Sequence, residues 1–240
     1  MTSSTWAATT TFPASSAEIE LTERVASNLA TLRERIAAAG RDPSGVRVVA
    51  VTKTFGPEAV LAAASVGLGA VGENYLVELE HKRAALAELS VAWHYLGALQ
   101  GNKIARVAAV SDVICSVSRD KEIDRLAALG ATARLYVQVD FTNLAQRNGA
   151  APGEVGDLVA RARDRGLALV GLMTVAPPDR AGAERSFRET ARLADDLGLA
   201  ERSMGMSDDL ELACRWGTSE VRVGRALFGP RARRADPPLA

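Results

Sequence analysis

The chain has 240 residues, 48% of them hydrophobic, and carries 29 basic against 29 acidic side chains. That supplies a sizeable core, and the even charge balance lacks the electrostatic footprint of a nucleic-acid or anionic-membrane binder. No apolar run approaches the roughly 20 residues a membrane-spanning helix needs.

The opening "MTSSTWAATTTFPASSAE" lacks the basic start and apolar centre of a secretory signal. It is expected to be a disordered tail over 1–16. Helical spacing of apolar residues follows over 19–39 and stops at Gly40, a C-cap glycine. From there strand-like and helix-like segments alternate. "VRVVAV" precedes "PEAVLAAASVG", with Pro57 in the first turn. "GAVGEN" precedes "YLVELEHKRAALAEL", "AWHYLG" precedes "NKIARVAAV", and "DVICSV" precedes "KEIDRLAAL". "ARLYVQVD" leads through a polar loop into "PGEVGDLVARARDRG", and "LALVGLMTV" precedes "RAGAERSFRETARLADDLG". A weak strand around Ser203 precedes "DDLELACRWG", and "EVRVG" closes the series with "RALFG".

Eight such pairs predict a parallel sheet with right-handed crossovers, closed as a single (β/α)8 TIM barrel over 17–231 with a C-terminal tail over 232–240. An open doubly wound sheet is the alternative. Against it, no GxGxxG follows the first strand, where Lys53 stands instead. The basic stretch Arg231 to Arg234 sits beside "DPPLA" and reads as a solvated tail. Cys115 and Cys214 form no CxxC pair, and His81 and His94 offer no zinc spacing, so no metal is expected. A reduced cytoplasmic protein fits this cysteine usage.

A lysine that closes a buried β-branched run is either a solvated strand end or a reactive group. In a barrel the C-terminal ends of the strands line the active face. Lys53 ends the first strand, Asn74 the second, and His94 lies in the third. Ser203 and Ser207 flank the seventh, and Arg222 and Gly224 end the eighth, which ring closure sets beside the first. A lysine partly desolvated beside another cation can offer a neutral amine to a carbonyl. Glycine and backbone amides at a helix start suit a phosphate. A phosphorylated aldehyde uses all of these, and pyridoxal 5′-phosphate is the common molecule of that kind. Each residue also has a plainer reading. Ser207 suits an N-cap ahead of Asp208 and Asp209. Arg222 suits an ion pair with a neighbouring acid, His94 a satisfied core position, and Met173 and Trp93 core packing.

In order, "AVTKT", "GENY", "WHYLGALQGNK", "GLMTV", "SMGMSDDLELA" and "VRVGRALFG" resemble the signature stretches of the pyridoxal phosphate homeostasis protein family, over about Ile19 to Arg231. The resemblance implies a fold type III barrel like the N-terminal domain of alanine racemase, with pyridoxal 5′-phosphate held as a Schiff base on Lys53. It implies Arg222 against the pyridine nitrogen and Asn74 beside the ring. Ser203, Met204 and Ser207 of the "SMGMS" turn, with the backbone after Gly224, would cradle the phosphate. Where the family usually has a small hydroxyl residue after "VRVG", this chain has Arg225, whose amide and guanidinium would take over the contact. Arg202 stands in place of the usual apolar residue before "SMGM", which weakens the seventh strand.

An arginine at the ring nitrogen keeps that nitrogen unprotonated and the ring a poorer electron sink. Alanine racemase adds an acid–base group from a second domain, for which the residues after "LFG" are too few. The resemblance therefore implies a carrier in intracellular cofactor homeostasis, storing pyridoxal phosphate or delivering it to free amines and apoenzymes, without strong turnover. The alternatives are a racemase-like pyridoxal phosphate enzyme and a cofactor-free Schiff-base aldolase. A monomer is expected, since no separate association element is visible.

Overall fold

A computed structural model describes residues 15–142 and 147–230. Helix α1 (Ser16–Ala38) opens on a capping box in which the Ser15 hydroxyl accepts from the Glu18 amide and the Glu18 carboxylate accepts from the Ser15 amide. Its buried stripe is Val25, Leu29, Leu32 and Ile36, spaced by three or four residues as one helical face requires. Ser15 and Ser16 thus already belong to the helix; the rest of the expected N-terminal tail and the stretch 232–240 lie outside the described residues.

The alternation then runs β1 (Arg47–Val51), α2 (Pro57–Ser65), β2 (Ala70–Glu73), α3 (Leu76–Ala85), β3 (Ala92–Tyr95), α4 (Ile104–Val110), β4 (Val113–Val117) and α5 (Asp120–Ala128). It continues β5 (Arg134–Val139), α6 (Val155–Asp164), β6 (Leu169–Thr174), α7 (Arg180–Asp196), β7 (Glu201–Ser203), α8 (Leu210–Arg215), β8 (Glu220–Val223) and α9 (Arg225–Phe228). The eight strands are parallel and form one closed ring in sequence order. Closure is made by β1 against β8, with Val49 opposite Arg222 and Ala50 opposite Val223. No open doubly wound sheet has this pairing, so the barrel expectation holds.

Side chains alternate between the two faces of each strand. Those facing the helices are apolar: Val48, Ala50, Val71, Trp93, Tyr95, Leu135, Leu172 and Val221 join the helix faces in one large core. The barrel interior is different. It holds a small apolar cluster of Val113, Cys115, Tyr136 and Met173, and beside it the buried polar side chains His94, Ser203, Glu220 and Arg222. Glu201 and Arg202 on β7 are only half-buried, and Arg202 bonds to Asp195 at the end of α7. The seventh strand, expected to be weak, spans three residues.

Candidate functional site

At the C-terminal ends of the strands lies a cavity of about 550 Å3. Lys53, two residues past β1, and Asn74, one past β2, stand in its wall with Arg222 of β8. Ser207, Asp208, Gly224 and Arg225 complete the polar part. Leu96, Met173, Val175 and Met206 supply the apolar part. Residues from 53 to 225 therefore meet here only because the ring closes.

Arg222 is held tightly and is 5% exposed. One terminal nitrogen donates to the Ser203 carbonyl and the Ser203 hydroxyl, both at 2.7 Å; the other donates to the Thr174 carbonyl at 2.8 Å. The Ser203 hydroxyl in turn donates to the Glu220 carboxylate at 2.7 Å. Arg222 thus meets neutral oxygens directly and an acid only through serine, a refinement of the plain ion-pair reading. Burial pushes its pKa below the ordinary arginine value. Ser203 is consequently beneath the cavity and not in its wall. Met204 is also fully buried, packed with Ala176, Phe187, Leu212 and Ala213. The two residues expected to touch a ligand directly instead lie beneath the cavity wall.

The turn after β7 is shaped by Gly205, whose φ of +94° is left-handed and whose added Cβ would lie 2.6 Å from the Ala213 methyl. Ser207 does not cap its own helix. The N-cap of α8 is Asp209, and the Ser207 hydroxyl reaches across to accept from the Ala226 amide at 3.2 Å. A Cβ on Gly224 would stand 3.1 Å from the Val51 carbonyl, a tight contact that would press the ends of β8 and β1 slightly apart. On the rim, Arg225 pairs with Asp208, both well exposed.

The family model described as alanine racemase, N-terminal domain, matches residues 22–232. The pyridoxal phosphate homeostasis protein of Pseudomonas aeruginosa is 39% identical over 220 residues, covering 88% of this chain and 96% of that one. The protein of the same name from Escherichia coli is 33% identical, covering 86% and 97%. The chain belongs to the pyridoxal phosphate homeostasis protein family. Among solved structures, PipY of Synechococcus elongatus with PLP bound matches at 32% identity and TM-score 0.71, covering 85% of this chain and all of that one. Alanine racemase from Corynebacterium glutamicum, at 19% identity and TM-score 0.66, shares the fold over 88% of this chain and 61% of its own.

Not every residue singled out in this family member's sequence reaches the cavity. His94, weighed above as a strand residue near the mouth, is 2% exposed and opens on a second cavity, of about 680 Å3, at the N-terminal ends of the strands. Its ring nitrogen lies 3.8 Å from both the Cys115 sulfur and the Glu220 carboxylate. These three could surround a metal ion. The guanidinium of Arg47 already holds Glu220 at 3.1 Å, however, and Arg134 and Arg222 add positive charge nearby, which opposes a divalent cation. Burial lowers the His94 pKa, which disfavours a charged ring. Met173 joins both worlds: it packs inside the barrel, as expected, and its edge forms cavity wall. Leu96 and Val175 were missed in the sequence, although strand periodicity continued two residues past His94 and Met173 points to them.

Proposed function

We propose that this chain binds pyridoxal 5′-phosphate in the C-terminal cavity, with Lys53 as its covalent anchor, and that it stores or delivers the cofactor in the cytoplasm without strong catalytic turnover. The supporting observation is that Lys53 and Arg222 stand in one wall, together with Ser207 and Gly224. The chain has four lysines, and of these Lys53 alone is placed there; Lys82 is buried against Glu73.

When bound, the cofactor supplies an aldehyde, on which a lysine amine forms a C=N bond with loss of one water. Arg222, fixed by three bonds to oxygens of Ser203 and Thr174, offers its cationic edge to the ring nitrogen. Asn74, in the cavity wall, would border the ring. The phosphate is assigned to the Ser207 hydroxyl, the close backbone at Gly224 and the amides that follow it, with Arg225 exchanging Asp208 for a phosphate oxygen. Ser203 and Met204 act from beneath, by holding Arg222 and the turn. The donor set therefore fits the cofactor.

Racemisation needs positioned proton donors and acceptors at the substrate carbon. Among the described residues the cavity wall contains no histidine, tyrosine, cysteine or glutamate, and its one aspartate, Asp208, is paired with Arg225. This supports a carrier over an enzyme, with release to a free amine or a recipient apoenzyme by exchange of the lysine for another amine.

The test is the visible spectrum after addition of pyridoxal phosphate, followed by borohydride trapping and peptide mapping over the four lysines. Schiff-base absorbance lost in Lys53→Ala and a label confined to Lys53 are expected. No absorbance in the unaltered chain overturns the reading, and conversion of L-alanine to its mirror image by the loaded protein overturns the carrier part.

A further inference from the structure

Lysine side chains are long and flexible, so a protein fixes the aim of such an amine chiefly through the backbone that carries it. On both sides of Lys53 that backbone is held by one helix. Thr54 has φ of +69°, the only left-handed non-glycine residue among those described. A side chain with a Cβ is strained there and stays only where its surroundings over-determine it. Its amide donates to the Glu78 carboxylate at 2.7 Å. On the other side, the Thr52 carbonyl accepts from the Lys82 ammonium at 2.7 Å.

Glu78 and Lys82 are four residues apart on α3 and so share a face. Lys82 is 2% exposed and is neutralised by Glu73 at 2.6 Å; the same Glu73 oxygen accepts from the Thr52 hydroxyl at 2.5 Å. Its other oxygen is buried without a hydrogen-bond partner, so the carboxylate has nowhere else to turn. The segment that grips Lys53 also carries Asn74 into the cavity, which joins the ends of β1 and β2 as one unit.

We propose that Glu78 and Lys82 are positioning residues for Lys53, clamping Thr54 and Thr52 so that the amine is presented to the cavity in one conformation. This rests on the assignment of Lys53 as the anchor. Loss of a charged acceptor at 2.7 Å is expected to weaken pyridoxal phosphate binding about tenfold.

The experiment uses the whole chain as Glu78→Ala, Glu78→Gln and the double change Glu78→Ala with Thr54→Gly. It reads pyridoxal phosphate affinity from Schiff-base absorbance, and hydrogen exchange of the Thr54 amide without cofactor. The clamp requires slow exchange at Thr54 that becomes fast in Glu78→Ala, with affinity falling about tenfold. Glu78→Gln, which keeps an acceptor oxygen at the same reach, should hold most of the affinity. Glycine adopts the left-handed turn unaided, so the double change should recover much of the loss. Unchanged affinity in Glu78→Ala, or a double variant no better than the single one, overturns the proposal. If the unaltered chain forms no Schiff base, the function proposed for Lys53 fails, and exchange alone decides the clamp: Thr54 exchanging equally fast with and without Glu78 overturns it.

Discussion

Both ends of the barrel open into cavities, and the larger is at the N-terminal end, about 680 Å3 against about 550 Å3. There the arginines are already matched. Arg47 bonds to Glu201 at 2.9 Å and Glu220 at 3.1 Å, and Arg134 and Tyr136 also bond to Glu201. At the C-terminal end, among the described residues, Arg222 meets neutral oxygens only. Cavity size therefore misleads. A buried cation with no direct carboxylate neighbour keeps its field for a ligand, whereas one locked to two carboxylates has a structural task.

Glu220 is where the two ends join, since it accepts from Ser203 above and Arg47 below. Glu220→Gln is expected to have the largest effect, because it leaves Arg47 and the Ser203–Arg222 pair without their shared charge. Arg47 is partly exposed and keeps Glu201, so the loss is that of charge-assisted hydrogen bonds, about 1.5–3 kcal/mol. Denaturant unfolding should reveal that loss, and Arg222 should lose its fixed aim. An unaltered midpoint would mean that the two ends are energetically separate.

The contrast between the ends was only partly visible in the sequence. Lys53, Arg222 and Gly224 were legible because each sits at or just past the end of a well-patterned strand, where barrel geometry decides the address. Ser203 and Met204 were not: Ser203 points into the barrel but lies a layer below the cavity, held by Arg222 and Glu220, and Met204, the next residue, faces α7 and α8. Of the two readings given for His94, the core position holds. Alternation says that a side chain points inward but not at which layer of the barrel, and His94 occupies the lower one. The long-range bond from the Ala226 amide to the Ser207 hydroxyl, where a local cap was the simpler expectation, had no signal in spacing at all.

A smaller effect separates the ends by pH. Although burial of Glu201 raises its pKa, hydrogen bonds from Arg47 and Tyr136 and the charges of Arg47 and Arg134 outweigh it, so the folded value lies below the ordinary 4.5. The folded state then binds fewer protons than the unfolded chain in that window. Its contribution is present above about pH 4.5 and is lost as pH falls through the folded value. Glu73, near Lys53, has the opposite sign. Burial raises its pKa against the hydrogen bonds from Lys82 and Thr52, so stability erodes as pH rises from 4.5 through the raised value. Stability measured against pH for Glu201→Gln should lose part of the acid-side decline. A curve parallel to that of the unaltered chain would remove Glu201 from the account.

The smallest expected effect is on the rim of the C-terminal cavity. Arg225 and Asp208 are 62% and 80% exposed, and ion pairs so open to water contribute little to folding. Asp208→Asn should therefore leave thermal unfolding unchanged while acting on the ligand. It removes a negative charge from the mouth and releases Arg225 for a phosphate oxygen, so pyridoxal phosphate should bind a few-fold more tightly. Pyridoxal, which lacks the phosphate, should bind as before. That pairing of ligands isolates the cause: an equal gain for both would place the effect on the ring or the lysine, and a loss for pyridoxal phosphate would mean that Asp208 holds Arg225 where the phosphate needs it.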